Sequence, residues 1–362
     1  MKEDSEATAP ARQVRFGLVG FGAWGTCHAR AIQQHAVLVA VCAASEATRQ
    51  RARAELGPDV AIEPSYEALV RRDDLDVVDV VVPNHLHRPV AIAALIAGKH
   101  VLLEKPMATT VADGEAIAAA ARAHHRLLAI GHEARLSPQW GKIKQLIDAG
   151  AIGQPLSVAI HLWRFPYRRG AGGWRYHAGS VGDWTLEEPI HYFDLLRWYL
   201  ESLGAPQVVY ARANSVQAQA RPALYDNLAA LVTFPGGGFG LVTQTLAAYE
   251  YHLRGEVVGT EGAIRTWWIG EQDRTDRPRF AFEYFDGKER RTMALESTPG
   301  ELFELEAEIQ QMAGYVTSGG GQRPVSPEDG LWAVRLCLAA EESARRGVPV
   351  PVSGSPGEEG RA

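Results

Sequence analysis

VRFGLVGFGAWG, from Val14 to Gly25, decides how the first half of the chain is read. A short apolar run stops at glycine, and a pattern of helical period follows from Ala23 to His35. Gly20, Gly22 and Gly25 fall in the GxGxxG positions between the two. With 36 glycines in 362 residues the bare pattern is a weak signal. Its place between a strand and a helix gives it meaning. The first glycine permits the tight turn, the second lets the backbone approach a pyrophosphate, and the third lets helix pack on strand. The pyrophosphate then faces unpaired N–H groups at the positive end of the helix. The turn therefore predicts dinucleotide binding by Gly20, Phe21, Gly22, Ala23, Trp24 and Gly25.

Outward from this turn, strand and helix alternate. VLVAVC (Val37 to Cys42) reads as a second strand, and Ser45 can cap a helix running to Leu56. Val77 to Val82 is β-branched almost throughout, as a parallel strand buried on both faces should be. A helix (Val90 to Ala97), a strand (His100 to Leu103), a helix (Val111 to His124) and a strand (Arg126 to Ile130) complete a doubly wound parallel sheet. At the end of the second strand an acidic residue would select NAD, and an arginine NADP. Ala43, Ala44 and Ser45 stand there, followed by Glu46 and, a turn later, Arg49. Either cofactor is possible; Glu46 would repel a phosphate, which favours NAD.

Composition bounds the rest. The chain is 46% hydrophobic and 22% charged with a net charge of −6, so it can build cores for two domains and has no basic footprint for nucleic acid or anionic lipid. Cys27, Cys42 and Cys337 are too few and too scattered for a disulfide framework or a CxxC pair. The polar, acidic start is unlike a secretory signal, and no apolar run reaches membrane-spanning length. A cytoplasmic protein is expected, with disordered segments at 1–13 and 352–362.

PNHLHRPVAIAALIAGKHVLLEKPMATT, Pro83 to Thr110, together with GFGAWG, resembles the glucose–fructose oxidoreductase, inositol dehydrogenase and rhizopine-catabolism family, Gfo/Idh/MocA. GKHVLLEKP is its most specific segment. The likeness runs on through GHEARLSP (Gly131 to Pro138) to the C-terminal PVSPEDGLWAVRLCLAAEESARRG. It implies an N-terminal Rossmann domain, here 14–133, and an α/β domain on a large open, mostly antiparallel sheet, here 134–351. It also implies that a C-terminal helix near 326–346 packs back on the first domain. The residues agree: after Gln154 strand-like runs dominate, interrupted by helices near Ile190 to Ser202 and Glu301 to Val316. The same likeness puts Ser45, Pro83, Asn84, His87 and Glu104 on the cofactor side. It makes Lys105 an active-site lysine at the carboxyl end of a strand, where an ammonium stabilises alkoxide charge and lowers the pKa of a nearby acid.

Where the family shows Asp-x-Gly-x-His-x-x-Asp, this chain has Glu187-Glu188-Pro189-Ile190-His191-Tyr192-Phe193-Asp194. The histidine and last aspartate match; glutamate and proline replace the aspartate and glycine. Pro189 suits the first turn of a helix, and Glu187 and Glu188 could cap its positive end. His191 is expected as general acid/base, with Asp194 or Glu187 steering it or Lys105. On the substrate side stand Glu133, Arg135, Trp163, Arg164, Arg168, Trp174, Arg175 and Tyr176. Aromatic faces beside charged groups suit a polyhydroxylated ring, and the arginines could equally meet a phosphate or carboxylate. His85 and His87 have the look of a ligand pair, but no third ligand stands at metal spacing, so no metal is expected.

These readings converge on an NAD(P)-dependent oxidoreductase of a sugar, sugar derivative or cyclitol. The alternatives are a glycosidase working by transient oxidation and elimination with bound NAD, and a non-catalytic sugar or dinucleotide sensor. The open sheet of the second domain predicts a homodimer or homotetramer.

Overall fold

The computed structural model describes residues 13–215 and 224–352, so the terminal segments expected to be disordered lie, but for Gln13 and Val352, outside the described residues. The first sheet contains β1 (Arg15–Val19), β2 (Val37–Cys42), β3 (Ala61–Glu63), β4 (Val77–Val80), β5 (His100–Glu104) and β6 (Leu128–Gly131). All are parallel, in the order β3-β2-β1-β4-β5-β6. Helices α1 (Ala23–His35), α2 (Glu46–Leu56), α3 (Tyr66–Val70), α4 (His87–Ile96) and α5 (Val111–Ala123) connect the strands. This is the doubly wound Rossmann order, whose switch point between β1 and β4 is where such sheets bind ligands. Side-chain caps fix the helix starts: Ser45 Oγ accepts from Thr48 N at 3.1 Å and Thr110 Oγ1 from Asp113 N at 3.1 Å.

Boundaries shift where tertiary contacts override local pattern. β4 stops at Val80 rather than Val82 because its partner β1 ends at Val19, opposite Val80. α4 begins at His87, three residues earlier than expected, with Pro89 in its first turn, where the missing N–H costs nothing. Short β3 and α3 were not expected; β3 is only half-buried and carries no apolar run.

The second half holds α6 (Trp140–Asp148), β7 (Pro155–Trp163), α7 (Ala178–Val181), α8 (Pro189–Tyr199), β8 (Val208–Asn214), β9 (Asn227–Thr233) and β10 (Phe239–Thr245). These are followed by β11 (Tyr251–Gly259), β12 (Ala263–Gly270), β13 (Arg279–Phe285), β14 (Arg290–Thr292), α9 (Glu301–Ser318), α10 (Pro327–Arg346) and β15 (Val350–Pro351). The strands form one sheet, β14-β13-β12-β11-β7-β10-β9-β8-β15, antiparallel throughout except between β7 and β10. Helices α8 and α10 cover one face. On the other face Trp163, Tyr210, Leu231, Phe239, Val258 and Phe285 are exposed.

We propose the division at 133/134 for the two sheets; the helical layer does not follow it. Leu305, Ile309, Met312 and Ala313 of α9 share a core with Phe16, Leu18 and Ile32. Helix α10 touches α5 and β6, and Gly330 lies so close to Ile130 that a Cβ there would sit 2.8 Å from its side chain. Both long helices therefore lock the two halves together. No helix among the described residues is long and apolar enough to cross a membrane.

Candidate active site

The glycine turn has the geometry a dinucleotide needs. Gly20 has φ +109°, and a Cβ on it would lie 2.0 Å from the Val81 carbonyl oxygen. A Cβ on Gly25 would lie 2.1 Å from the Gly20 carbonyl oxygen, so both positions demand glycine. At Gly22 a Cβ would meet nothing within 4 Å. That open space sits at the N-terminus of α1, whose first N–H groups have no side-chain cap. The residues present thus fit a pyrophosphate. At the ribose end Ser45 is committed to capping α2. Arg49 donates to the carbonyls of Ala43 (3.0 Å) and Ala44 (2.7 Å) and pairs with Glu46.

Below the turn lies a buried network. Trp24 Nε1 donates to Glu104 Oε1 at 2.8 Å, and His28 bridges Asp79 (2.8 Å) and Glu104 (3.1 Å). Burial alone would favour a neutral ring, but the two carboxylates outweigh it and hold His28 protonated. His87 lies between the carbonyls of Pro106 (2.6 Å) and Val82 (2.9 Å), while His85 is exposed, so the two histidines do not converge.

Lys105 follows β5 directly, and its Nζ donates to the main-chain carbonyl of Glu187. The Glu187 carboxylate accepts from Arg175 Nε at 2.6 Å and from Asn84 Nδ2 at 3.2 Å. Burial opposes its ionisation, but Arg175 and Lys105 outweigh this and keep its pKa below the usual range. Neither glutamate caps α8, contrary to expectation: Glu187 is held by Arg175 and Asn84, and Glu188 turns away to Arg164 and Tyr251. The reason is that buried cations compete better for a carboxylate than the N–H groups at a helix start. Asn84, expected on the cofactor side, spends its amide on Val181 and Glu187.

His191 sits in the first turn of α8, only 7% exposed. Its Nε2 lies 3.8 Å from Glu133 Oε1, its ring meets His132 edge-on at 5.6 Å, and its Nδ1 has no hydrogen-bond partner. Burial, then the Lys105 charge and then His132, push its pKa well below that of a free imidazole, so the ring is neutral at physiological pH. Glu133 is buried, and one of its oxygens is also unpartnered. Burial, reinforced by Glu104 and Glu308, raises its pKa well above the ordinary carboxyl value. Both residues line a cleft walled by Tyr192, Tyr251 and Trp268.

Several expected site residues are committed elsewhere. Asp194 takes a bidentate grip from Arg135, 2.7 Å at each oxygen, and Arg135 also reaches Asp329 at 3.4 Å. Asp194 therefore steers neither His191 nor Lys105, and Arg135 is not open to a substrate. Trp163 alternates with buried Leu162 along β7 and so faces the open side of the sheet, against His252. Tyr176 donates to the Tyr167 carbonyl at 2.8 Å and packs on Trp184. Arg164 is buried between Glu188 and Asp273, Arg175 lies over the Trp174 ring, and Arg168 is exposed at the rim. Arg164 and Arg175 thus meet the protein's own carboxylates.

Tyr192, Tyr251, Trp268, Asp273, Glu301 and Glu304 were not anticipated as cleft residues. Glu301 and Glu304 read in sequence as ordinary acidic residues at a helix start, and only the return of α9 to the first domain brings them in.

Comparison with known proteins follows the same lines. Residues 14–132 match the family described as "Oxidoreductase family, NAD-binding Rossmann fold", and 140–265 match the "GFO/IDH/MocA C-terminal domain". The chain is 31% identical over 339 residues to an inositol 2-dehydrogenase of Acidothermus cellulolyticus, covering 92% of this chain and 93% of that one. It is 28% identical over 285 residues to a 1,5-anhydro-D-fructose reductase of Ensifer adhaerens, covering 78% and 81%. In fold it is similar to a Caulobacter crescentus aldose-aldose oxidoreductase, with TM-score 0.80 at 23% identity, covering 94% of this chain and all of that one.

Proposed function

The chain belongs to the Gfo/Idh/MocA oxidoreductase family, and we propose that it interconverts a ring secondary alcohol and its ketone. The ring is that of a sugar, sugar derivative or cyclitol. A nicotinamide dinucleotide, when bound, supplies the hydride acceptor for oxidation or the donor for reduction. Gly20, Gly22 and Gly25 with the start of α1 would hold its pyrophosphate, and NAD is the preferred form.

In the oxidation direction His191 takes the hydroxyl proton as the ring C–H is lost as hydride. Lys105 places a positive charge by the reacting oxygen and keeps His191 neutral, hence ready to accept. Glu187 locates Lys105 through its main-chain carbonyl and balances the local charge through its carboxylate. The observation that carries this reading is a buried, neutral His191 that lines a cleft together with Glu133, its Nε2 3.8 Å from the Glu133 carboxylate. We further propose a cytoplasmic homodimer or homotetramer. The reaction is tested by offering NAD and NADP with a panel of sugars, cyclitols and their keto forms. Nicotinamide absorbance that never changes would end the proposal.

A further inference from the structure

Arg274 stands in the connection between β12 and β13, which belongs to the second sheet yet reaches the glycine turn of the first. Its guanidinium carbon lies 4.7 Å from the centre of the Trp24 ring, and Trp24 is the second residue of α1. The indole is fixed: it donates to Glu104 at 2.8 Å and meets His28 edge-on at 5.3 Å. The connection is held as well, through Asp273 to Arg164 (3.6 Å) and Arg168 (3.7 Å). A cation at the positive end of a helix is opposed by the helix dipole. Helix α1 has neither an acidic residue in its first turn nor a side-chain cap to offset it. Among the described residues no carboxylate pairs with the Arg274 guanidinium, and its buried Nε has no hydrogen-bond partner. Asp273 spends its carboxylate on Arg164, Arg168 and the Arg274 main-chain N–H, and Glu104 is engaged with Trp24 and His28. Glu301 feels the Arg274 charge, but burial and then Asp273 raise its pKa to about 7, so it is a weak counter-ion. Helix end and guanidinium are thus two positive groups at one place, an arrangement that an anion would stabilise.

We propose that Arg274 is a dinucleotide-binding residue supplied by the second domain, its guanidinium donating to the pyrophosphate that the start of α1 receives. The proposal rests on the dinucleotide reading of the glycine turn and adds a residue to it. A guanidinium can fork its N–H groups over two phosphate oxygens, while the helix end supplies main-chain N–H groups. Cofactor affinity then draws on both domains, and binding pins the β12–β13 connection against the first sheet. The other aromatic residue of the turn, Phe21, also carries an arginine: Arg51 lies 5.2 Å from its ring. Arg51 differs in being served already, since it donates to the Phe21 carbonyl and pairs with Glu55 at 3.6 Å. Arg274 is the arginine at this turn whose charge has no carboxylate partner among the described residues.

The test is calorimetry of the full chain with NAD and with ADP-ribose, which keeps the pyrophosphate and lacks the nicotinamide. Arg274→Met should weaken both ligands by the same factor, at least about tenfold, the loss of a charge-assisted contact. Arg274→Lys keeps the charge without the fork and should fall between. Arg277→Met removes an equal charge from an exposed position of the same connection and should change neither affinity. Thermal melts separate binding from folding. Without ligand Arg274→Met should melt no lower than the wild type, and with NAD it should gain less. Should it melt early, the Lys variant decides. Wild-type affinities in Arg274→Met overturn the proposal, and a loss confined to NAD overturns the pyrophosphate as the group held. An equal loss in Arg277→Met makes the effect one of net charge and overturns the contact. If Gly22→Val loses NAD while Arg274→Met does not, the dinucleotide reading stands without Arg274. A wild type that binds neither ligand removes both.

Discussion

Arg135 grips both carboxylate oxygens of Asp194 at 2.7 Å and ties α8, through Asp329, to the start of α10. The Asp194 side chain is 1% exposed and the Arg135 side chain 10%. Removing one partner of such a pair strands a buried charge, at a cost of about 3–5 kcal/mol. Arg135→Met should therefore lower the urea midpoint markedly, with the denaturant slope unchanged. The pH dependence of residual turnover should keep its shape, because Asp194 holds α8 in place and moves no proton. A stable variant with an altered pH profile would return Asp194 to the mechanism.

Asp329 gives the same junction a pH signature. Burial opposes its ionisation, but Arg135, Ser326 and Arg197 outweigh this and hold its pKa at about 2. Its folded pKa is lower than in the unfolded chain, so its contribution is complete above the ordinary aspartate range and fades as pH falls toward 2. The contribution is roughly 2 kcal/mol. Unfolding free energy followed from pH 6 to 3 should drop by part of this amount in the wild type. In Asp329→Asn that part of the slope should vanish. Parallel curves would show that the pair is not coupled to folding.

The glycines of the first turn should separate by role. Gly22→Val places its side chain in open space, so folding should survive while NAD affinity falls at least about tenfold. Gly25→Val drives a side chain into the Gly20 carbonyl and should destabilise the fold itself. Calorimetric NAD binding and thermal melts on both variants check this. Unchanged affinity in Gly22→Val would remove the dinucleotide from this turn.

The open face carrying Trp163, Leu231 and Phe239 should be buried in solution against a second copy. Light scattering at micromolar concentration should give the mass of two or four chains, and Phe239→Glu should shift it toward one. A monomeric wild type contradicts the assembly.

The first sheet was readable because each of its main strands is a local apolar run between glycine or polar breaks, and each helix follows within a few residues. In the second half β7 to β11 could be read the same way, whereas β12 and β13 mix Trp, Arg and Glu and lie near the sheet's edge, where burial dictates less. The proposed roles of His191, Lys105 and Glu187 come from motif alone. The ion pairs around them were not legible, because Arg135–Asp194 and Arg164–Glu188 join residues far apart in sequence or aligned only by folding. Trp163 misled because a strand's alternation puts neighbours on opposite faces, and nothing local says which face meets the helices.

The most direct test of the account is turnover against pH for the wild type, His191→Asn and Lys105→Met, on whichever ring the substrate panel identifies. His191 must be neutral to accept a proton, and its depressed pKa puts the acid limb of ring oxidation below the ordinary imidazole range. From pH 6.5 upward the wild-type rate should owe no further rise to this group. His191→Asn should lose about a hundredfold to ten-thousandfold in turnover and lose the acid limb, with NAD affinity nearly unchanged. Lys105→Met should turn over slowly, with the limb moved upward, since the charge that helps depress His191 is gone. An Asn variant with near-wild-type turnover and the same profile would contradict the account and leave Lys105 as the proton carrier.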